Sequence, residues 1–123
     1  MHNIPTANNL TDSNLNQLIV ITSNSMNIGV CLIEFEIQAS RSLKEKRRVV
    51  KSILDRVKNK FNVSIAEVDN NNVLNLSTIG VACISNEGKH SHQVLSNVTT
   101  FIQGLSLPIV LLNINTEIIN GID

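Results

Sequence analysis

Alternation of apolar and polar side chains marks the first regular element, at residues 27–38. Ile33, Phe35 and Ile37 alternate with polar residues, which is the period of a half-buried β-strand. The preceding stretch, 28–33, is apolar at nearly every position. We therefore predict a strand whose first half is covered on both faces.

A helical period follows directly. Apolar residues recur at intervals of three and four, and the core stripe of the predicted helix at 42–60 consists of Leu43, Val50, Ile53, Leu54 and Val57. Ser42 and Glu45 have the spacing of a capping box, which predicts the start of this helix.

The rest of the pattern predicts three more strands and a second helix. The strands are placed at 61–69, 74–85 and 107–118, and the helix at 87–103, capped by Asn86 and ended by Gly104. The inward face of the second helix is predicted to hold His90, Val94, Val98, Phe101 and Ile102. Gly80 predicts a close approach or bulge in its strand, and Pro108 predicts an edge position or a strand start.

The order strand, helix, strand, strand, helix, strand predicts an α+β fold of the ferredoxin-like βαββαβ type. It has one four-stranded antiparallel sheet, in the strand order four, one, three, two, with both helices on one face. The other face is left open, yet the two central strands are apolar on both sides. We therefore expect a homo-oligomer, a dimer or higher, in which a second copy buries the open face or a sheet edge.

Residues 1–25 differ from the rest of the chain because they are rich in Asn, Ser and Thr and carry one charge, Asp12. We predict a flexible extension there, with a short helix at 12–21 as the alternative, and Met26 as a possible true start of translation. The ferredoxin-like domain is predicted at 26–119, followed by a short tail at 120–123.

Composition fits a single domain of 123 residues with 42% apolar side chains. No apolar run reaches the roughly 20 residues of a membrane span, and no signal peptide is recognisable. Cys31 and Cys83 form neither a disulfide framework nor a zinc pattern, so we expect buried thiols, no metal and no cofactor. A cytoplasmic location is the simplest expectation.

The distribution of charge is the most uneven feature of the chain. Nine of the ten Lys and Arg residues fall within 41–60, although the net charge is zero. Helical spacing places several of them opposite the core stripe. The candidate nucleic-acid-binding residues are Arg41, Lys44, Arg47, Arg48, Lys51 and Lys58. Cations crowd the helix start, where the helix dipole disfavours them, which indicates a partner. A solvated helix face is the alternative.

Lys46 is a separate case because it lies toward the apolar side of the same helix. A cation there needs a partner, and we predict structural pairing with Glu67 or Asp69. The Asn70–Asn72 run is predicted to be a turn, since the glycine and the terminal glutamate of a calcium loop are missing.

Three segments resemble the bacterial YlxP-like family: 42–47 (Ser-Leu-Lys-Glu-Lys-Arg), 61–69 (Phe-Asn-Val-Ser-Ile-Ala-Glu-Val-Asp) and 79–82 (Ile-Gly-Val-Ala). The resemblance covers roughly 26–118 and implies a ferredoxin-like fold without an established function. Its members are often encoded among translation and ribosome-maturation genes, which is a hint toward RNA. The chain departs from the family pattern at Asn72, Leu74 and Leu76, where relatives tend to have an acidic residue, a Trp and an Arg.

These observations favour a small protein without catalytic activity that binds RNA or the ribosome through the basic helix. No nucleophile–base arrangement or phosphate-binding loop is recognisable, and His90 and His92 do not share a helix face. The predicted sheet has almost no aromatic residues for stacking bases, so contacts to RNA are expected to be electrostatic or shape-based. The alternatives are a sensor or enzyme for small anionic metabolites, with Lys46 and Arg47 as anion ligands, and a purely structural oligomer.

Overall fold

The computed structural model describes residues 26–122, and the extension predicted for 1–25 lies outside the described residues. Six elements follow one another: β1 (Met26–Ile37), α1 (Leu43–Lys60), β2 (Ser64–Asp69), β3 (Leu76–Ser85), α2 (Gly88–Gln103) and β4 (Ile109–Ile122). Neither helix in this part of the chain is both long and apolar enough to cross a membrane.

The four strands form one sheet in the order β2-β3-β1-β4, and every neighbouring pair is antiparallel. The predicted α+β fold and strand order are thus confirmed. Residues that pair across strands share a face of the sheet. In β1, Cys31, Ile33 and Phe35 are buried and alternate with partly or fully exposed residues. One face therefore carries the core, and the described residues leave the other face open.

The core lies between the sheet and the two helices. β1 and β3 contribute its sheet side, and both helices contribute buried side chains at helical spacing. Gly29 of β1 allows α2 to approach closely, because a Cβ atom at this position would lie 2.9 Å from Leu95 Cδ1 and 3.0 Å from Ser91 Cβ. Gly80 allows the close approach predicted for β3, where a Cβ would lie 3.1 Å from Val68 Cγ1.

The strand boundaries differ modestly from the prediction. The connection after α1 occupies 61–63, so β2 begins at Ser64. Pro108 immediately precedes β4, which is an edge strand, as predicted. β4 pairs with β1 as far as Ile122, beyond the strand end predicted at residue 118.

The predicted orientation of α2 is wrong at its first turn. Glu87 rather than Asn86 is the N-cap, and its amide donates to Ser85 Oγ at 3.0 Å. His90 is exposed and Ser91 is buried, because the buried set Ser91, Leu95, Val98 and Ile102 has its own spacing of four, three and four. The small Ser91 faces the sheet where α2 comes closest to it.

Candidate nucleic-acid interface

The start of α1 is fixed by the residues that predicted it. Ser42 is the N-cap, and its Oγ accepts a hydrogen bond from the Glu45 amide at 3.1 Å. The Glu45 carboxylate accepts from the Arg41 amide at 2.7 Å, which ties the preceding loop to the first turn. Val50, Ile53 and Val57 are buried against the sheet, so the opposite side of α1 faces solvent.

All six predicted cations are exposed. This set, called the basic face below, consists of Arg41, Lys44, Arg47, Arg48, Lys51 and Lys58. Within residues 26–122, Lys51 is its one member with a salt bridge, at 2.6 Å between Nζ and Asp55 Oδ2. Both side chains of this pair are well exposed, so it weakens the positive field of the helix only slightly.

Lys46 lies on the other side of α1 and is fully buried. The structure brings it to Glu67, with 3.0 Å between Lys46 Nζ and Glu67 Oε2, and its ammonium also donates to the Asn70 carbonyl. Ser77 Oγ donates to the same Glu67 oxygen at 2.6 Å. Asp69 has a different role, since its Oδ1 accepts from the Asn70 amide at 2.7 Å. Lys46 is therefore held inside the fold, apart from the basic face.

Asn70 connects this network to the loop between β2 and β3, because it adopts a left-handed backbone conformation with φ 60°. This conformation directs its carbonyl to Lys46, while its side-chain amide donates to Thr78 Oγ1 at 3.0 Å. The loop between β2 and β3 is thereby attached to the first turns of α1. The basic face thus stands on a helix that is anchored on its inner side.

The C-terminal end of α1 carries a feature that the predicted site did not include. Lys60 Nζ lies 4.7 Å from the ring centroid of Phe101 and 5.9 Å from that of Phe61, and the two rings meet edge to face at 5.5 Å. With Asn97 and Thr100 they line a shallow recess of about 310 Å³. The sequence signal that could have predicted this recess is the position of Phe61 directly after the basic helix. Aromatic rings beside a cation are a common element of single-strand binding surfaces.

The opposite layer of the molecule carries negative charge. The four strands contain no Lys or Arg. Glu34 and Glu36 alternate with buried residues of β1, and Glu117 pairs with Val30. Asp69 pairs with Thr78, which also pairs with Glu34. These four carboxylates therefore lie on the open face of the sheet. The described residues thus present a helix layer rich in cations and an open sheet face that carries carboxylates and no cation.

Comparison with known proteins places the chain in a family. A family model described as "Protein of unknown function (DUF503)" matches residues 28–116. The uncharacterized protein YlxP of Bacillus subtilis (strain 168) is 41% identical over 75 residues, which is 61% of this chain and 82% of that protein. Among solved structures, the de novo designed protein Foldit4 aligns with a TM-score of 0.45 and 14% identity over 78% of this chain and 98% of the designed one. The chain therefore belongs to the DUF503 family of proteins of unknown function, the YlxP-like family that its motifs resemble.

Proposed function

We propose that the protein binds RNA, without catalysing a reaction on it, through the basic face of α1. The observation that carries this proposal is the exposure of all six cations of this face on and beside one anchored helix. Cations at this density bind polyanions because each neutralised phosphate releases condensed counterions.

The network around Lys46 supports the choice of RNA over a small anionic metabolite. The metabolite hypothesis used Lys46 and Arg47 as anion ligands. Lys46 is fully buried and engaged by Glu67 and Asn70, whereas Arg47 is exposed. The exposed cations are spread along the helix, an arrangement that suits the repeating phosphates of a nucleic acid better than one compact anion.

The sheet favours recognition of the RNA backbone over recognition of bases. RNA-recognition motifs of the same fold class stack bases on aromatic side chains of the open sheet face. In this protein Phe35 is buried toward the helices, and no other strand residue is aromatic. The proposed ligand is therefore structured RNA, such as ribosomal RNA, read by its charge and shape.

Filter binding of the full chain to a structured RNA tests this proposal. The triple charge reversal Lys44→Glu, Arg48→Glu and Lys51→Glu is expected to weaken binding at low salt on the order of 100-fold or more. All three side chains are exposed, so thermal unfolding is expected to change little.

Lys89 provides a matched control, because it is the one basic residue outside 41–60 and is exposed on α2. Arg48→Glu is expected to weaken binding several-fold more than Lys89→Glu does. Full binding by the triple variant, or equal losses in the two single variants, would rule out the basic face as the RNA-binding surface.

A further inference from the structure

The open face of the sheet has an apolar centre, and no helix or strand within residues 26–122 covers it. Apolar side chains of the strands are exposed on this face. The most exposed are Leu32, Val68 and Ile84, at 49%, 54% and 70%. The set, called the apolar patch, consists of Ile28, Val30, Leu32, Ala66, Val68, Gly80, Ala82, Ile84 and Ile119. Contiguous exposed apolar surface of this kind marks an interaction site.

The strand register shows that these residues share one face. Leu32 pairs with Gly80, and Ala66 pairs with the same Gly80 from the other side. Small residues therefore form the floor of the patch, in a shallow depression of about 300 Å³, and the larger Leu32 and Val68 line its sides. The patch thus contains both projecting and recessed parts.

Charge narrows the choice of partner. The strands contain no cation, and four carboxylates lie on the same face as the patch: Glu34, Glu36, Asp69 and Glu117. An anionic partner such as RNA or a phospholipid surface is therefore repelled from this face. A suitable partner has an apolar surface that lacks dense negative charge at its centre and matches both projecting and recessed parts.

We propose that this partner is a second copy of the chain and that two open faces pack as a β-sandwich. A two-fold axis through the patch brings the projecting side chains of each copy onto the Gly80 and Ala82 floor of the other. Glu34 and Glu36 lie toward one end of β1, and Asp69 and Glu117 lie on the edge strands β2 and β4. Copies whose β1 strands cross or run antiparallel keep these carboxylates apart, at the rim of the interface.

The size of the face fits a concentration-dependent dimer. With strands about 4.8 Å apart and roughly 30 Å long, a four-stranded face has a projected area of roughly 600 Å². Standard interfaces bury about 800 Å² of accessible surface on each partner. Because side chains make the face uneven, its accessible area exceeds its projected area and comes near this value. The dimer therefore uses the apolar patch as its centre and the polar positions as its rim. Lys58 lines a recess with Ile28 and Ile84 at the margin of the patch, and the other cations of the basic face remain outside the sandwich. The proposal stands independently of RNA binding.

Sedimentation equilibrium of the full chain over roughly 5–200 µM tests the proposal, since dimer populations follow mass action. The wild type is expected to be dimeric at the upper end of this range. Leu32→Glu is expected to raise the dissociation constant at least tenfold because it buries a carboxylate in the interface. Leu74→Glu is the matched control, since Leu74 is similarly exposed at 41% but lies in the loop before β3, and it is expected to dimerise like the wild type.

Ile84→Glu is a second variant that keeps the test independent of folding, because this side chain is 70% exposed in the single chain. It is expected to weaken the dimer in the same direction as Leu32→Glu. A wild type that stays monomeric over the whole range would overturn the proposal and indicate another occupant of the face. Undiminished dimerisation of both variants would overturn it as well, in favour of pairing along a sheet edge.

Discussion

At the scale of single residues, Lys44 and Lys46 show that two lysines on one helix have different roles. Two positions apart on α1, Lys44 faces solvent and Lys46 faces the sheet. The buried ammonium is compensated by the Glu67 carboxylate and the Asn70 carbonyl. A buried charge is tolerated only with such partners, so Lys46 fixes the position of the loop between β2 and β3 relative to α1.

Replacement of Lys46 is expected to lower stability strongly. Lys46→Met introduces an unbranched apolar side chain of similar length in place of the ammonium. The Glu67 carboxylate, whose side chain is 12% exposed, is then left without its cation. We expect the free energy of unfolding to fall by about 3–5 kcal/mol, measured by urea denaturation. The control Lys44→Met removes an exposed cation and is expected to stay within about 0.5 kcal/mol of the wild type. Equal urea midpoints for the two variants would contradict this role of Lys46.

The need of Lys46 for a carboxylate was visible in the sequence, because helical spacing puts a cation next to the apolar stripe. The sequence left two candidates, and the structure selects Glu67, which lies on the helix side of the sheet opposite Ile79. The contribution of Asn70 was not predictable, since it depends on a left-handed backbone conformation in the turn. The exposure of the basic face followed from spacing alone, whereas the recess at Lys60 depends on contact between residues far apart in sequence.

At the scale of secondary-structure elements, small residues determine how closely α2 packs on the sheet. Gly29 of β1 and Ser91 of α2 meet where the helix comes closest to the sheet. Ser91 is buried, and its hydroxyl has no hydrogen-bond partner among the described residues. Its contribution to this contact is therefore its size, which lets Leu95 reach the core.

Enlargement of Gly29 is expected to separate α2 from the sheet. The Cβ atom of Gly29→Ala would lie 2.9 Å from Leu95 Cδ1, 3.0 Å from Ser91 Cβ and 3.3 Å from Cys83 Sγ. We expect a loss of about 1–3 kcal/mol in the free energy of unfolding.

Gly104→Ala is the control for this substitution, because its φ of −84° suits alanine and the nearest atom to its Cβ would be 3.5 Å away. It is expected to be neutral or to stabilise by up to about 1 kcal/mol. A Gly29→Ala variant as stable as Gly104→Ala, in chemical denaturation, would show that the contact can relax.

The type and order of the elements were predictable from periodicity, and the start of α2 was not. The sequence predicts a buried stripe that begins at His90, because His90, Val94 and Val98 are four apart. An equally regular stripe begins at Ser91, and this is the one that the structure buries. Tertiary packing against Gly29 decides between the two, and a small polar residue gives no hydrophobic signal for the buried position. Glu87 rather than Asn86 is the N-cap, and its amide donates to Ser85 Oγ, which precedes the helix.

At the scale of the whole molecule, the two layers present surfaces of opposite character. The helix layer carries the basic face, and the open sheet face carries an apolar patch with four carboxylates. The two surfaces are therefore expected to serve different partners, RNA and a second copy of the chain. Face-to-face association leaves the two basic faces pointing outward on opposite sides of the dimer.

The salt dependence of RNA binding tests the central proposal most directly. A linear plot of the logarithm of the observed binding constant against that of the salt concentration reports the number of neutralised phosphates. For Lys44→Gln with Arg48→Gln, we predict that the magnitude of this slope falls by about 1.5–2 relative to the wild type, because two phosphate contacts on a duplex are removed. A slope equal to that of the wild type would contradict the proposal that the basic face of α1 binds the RNA.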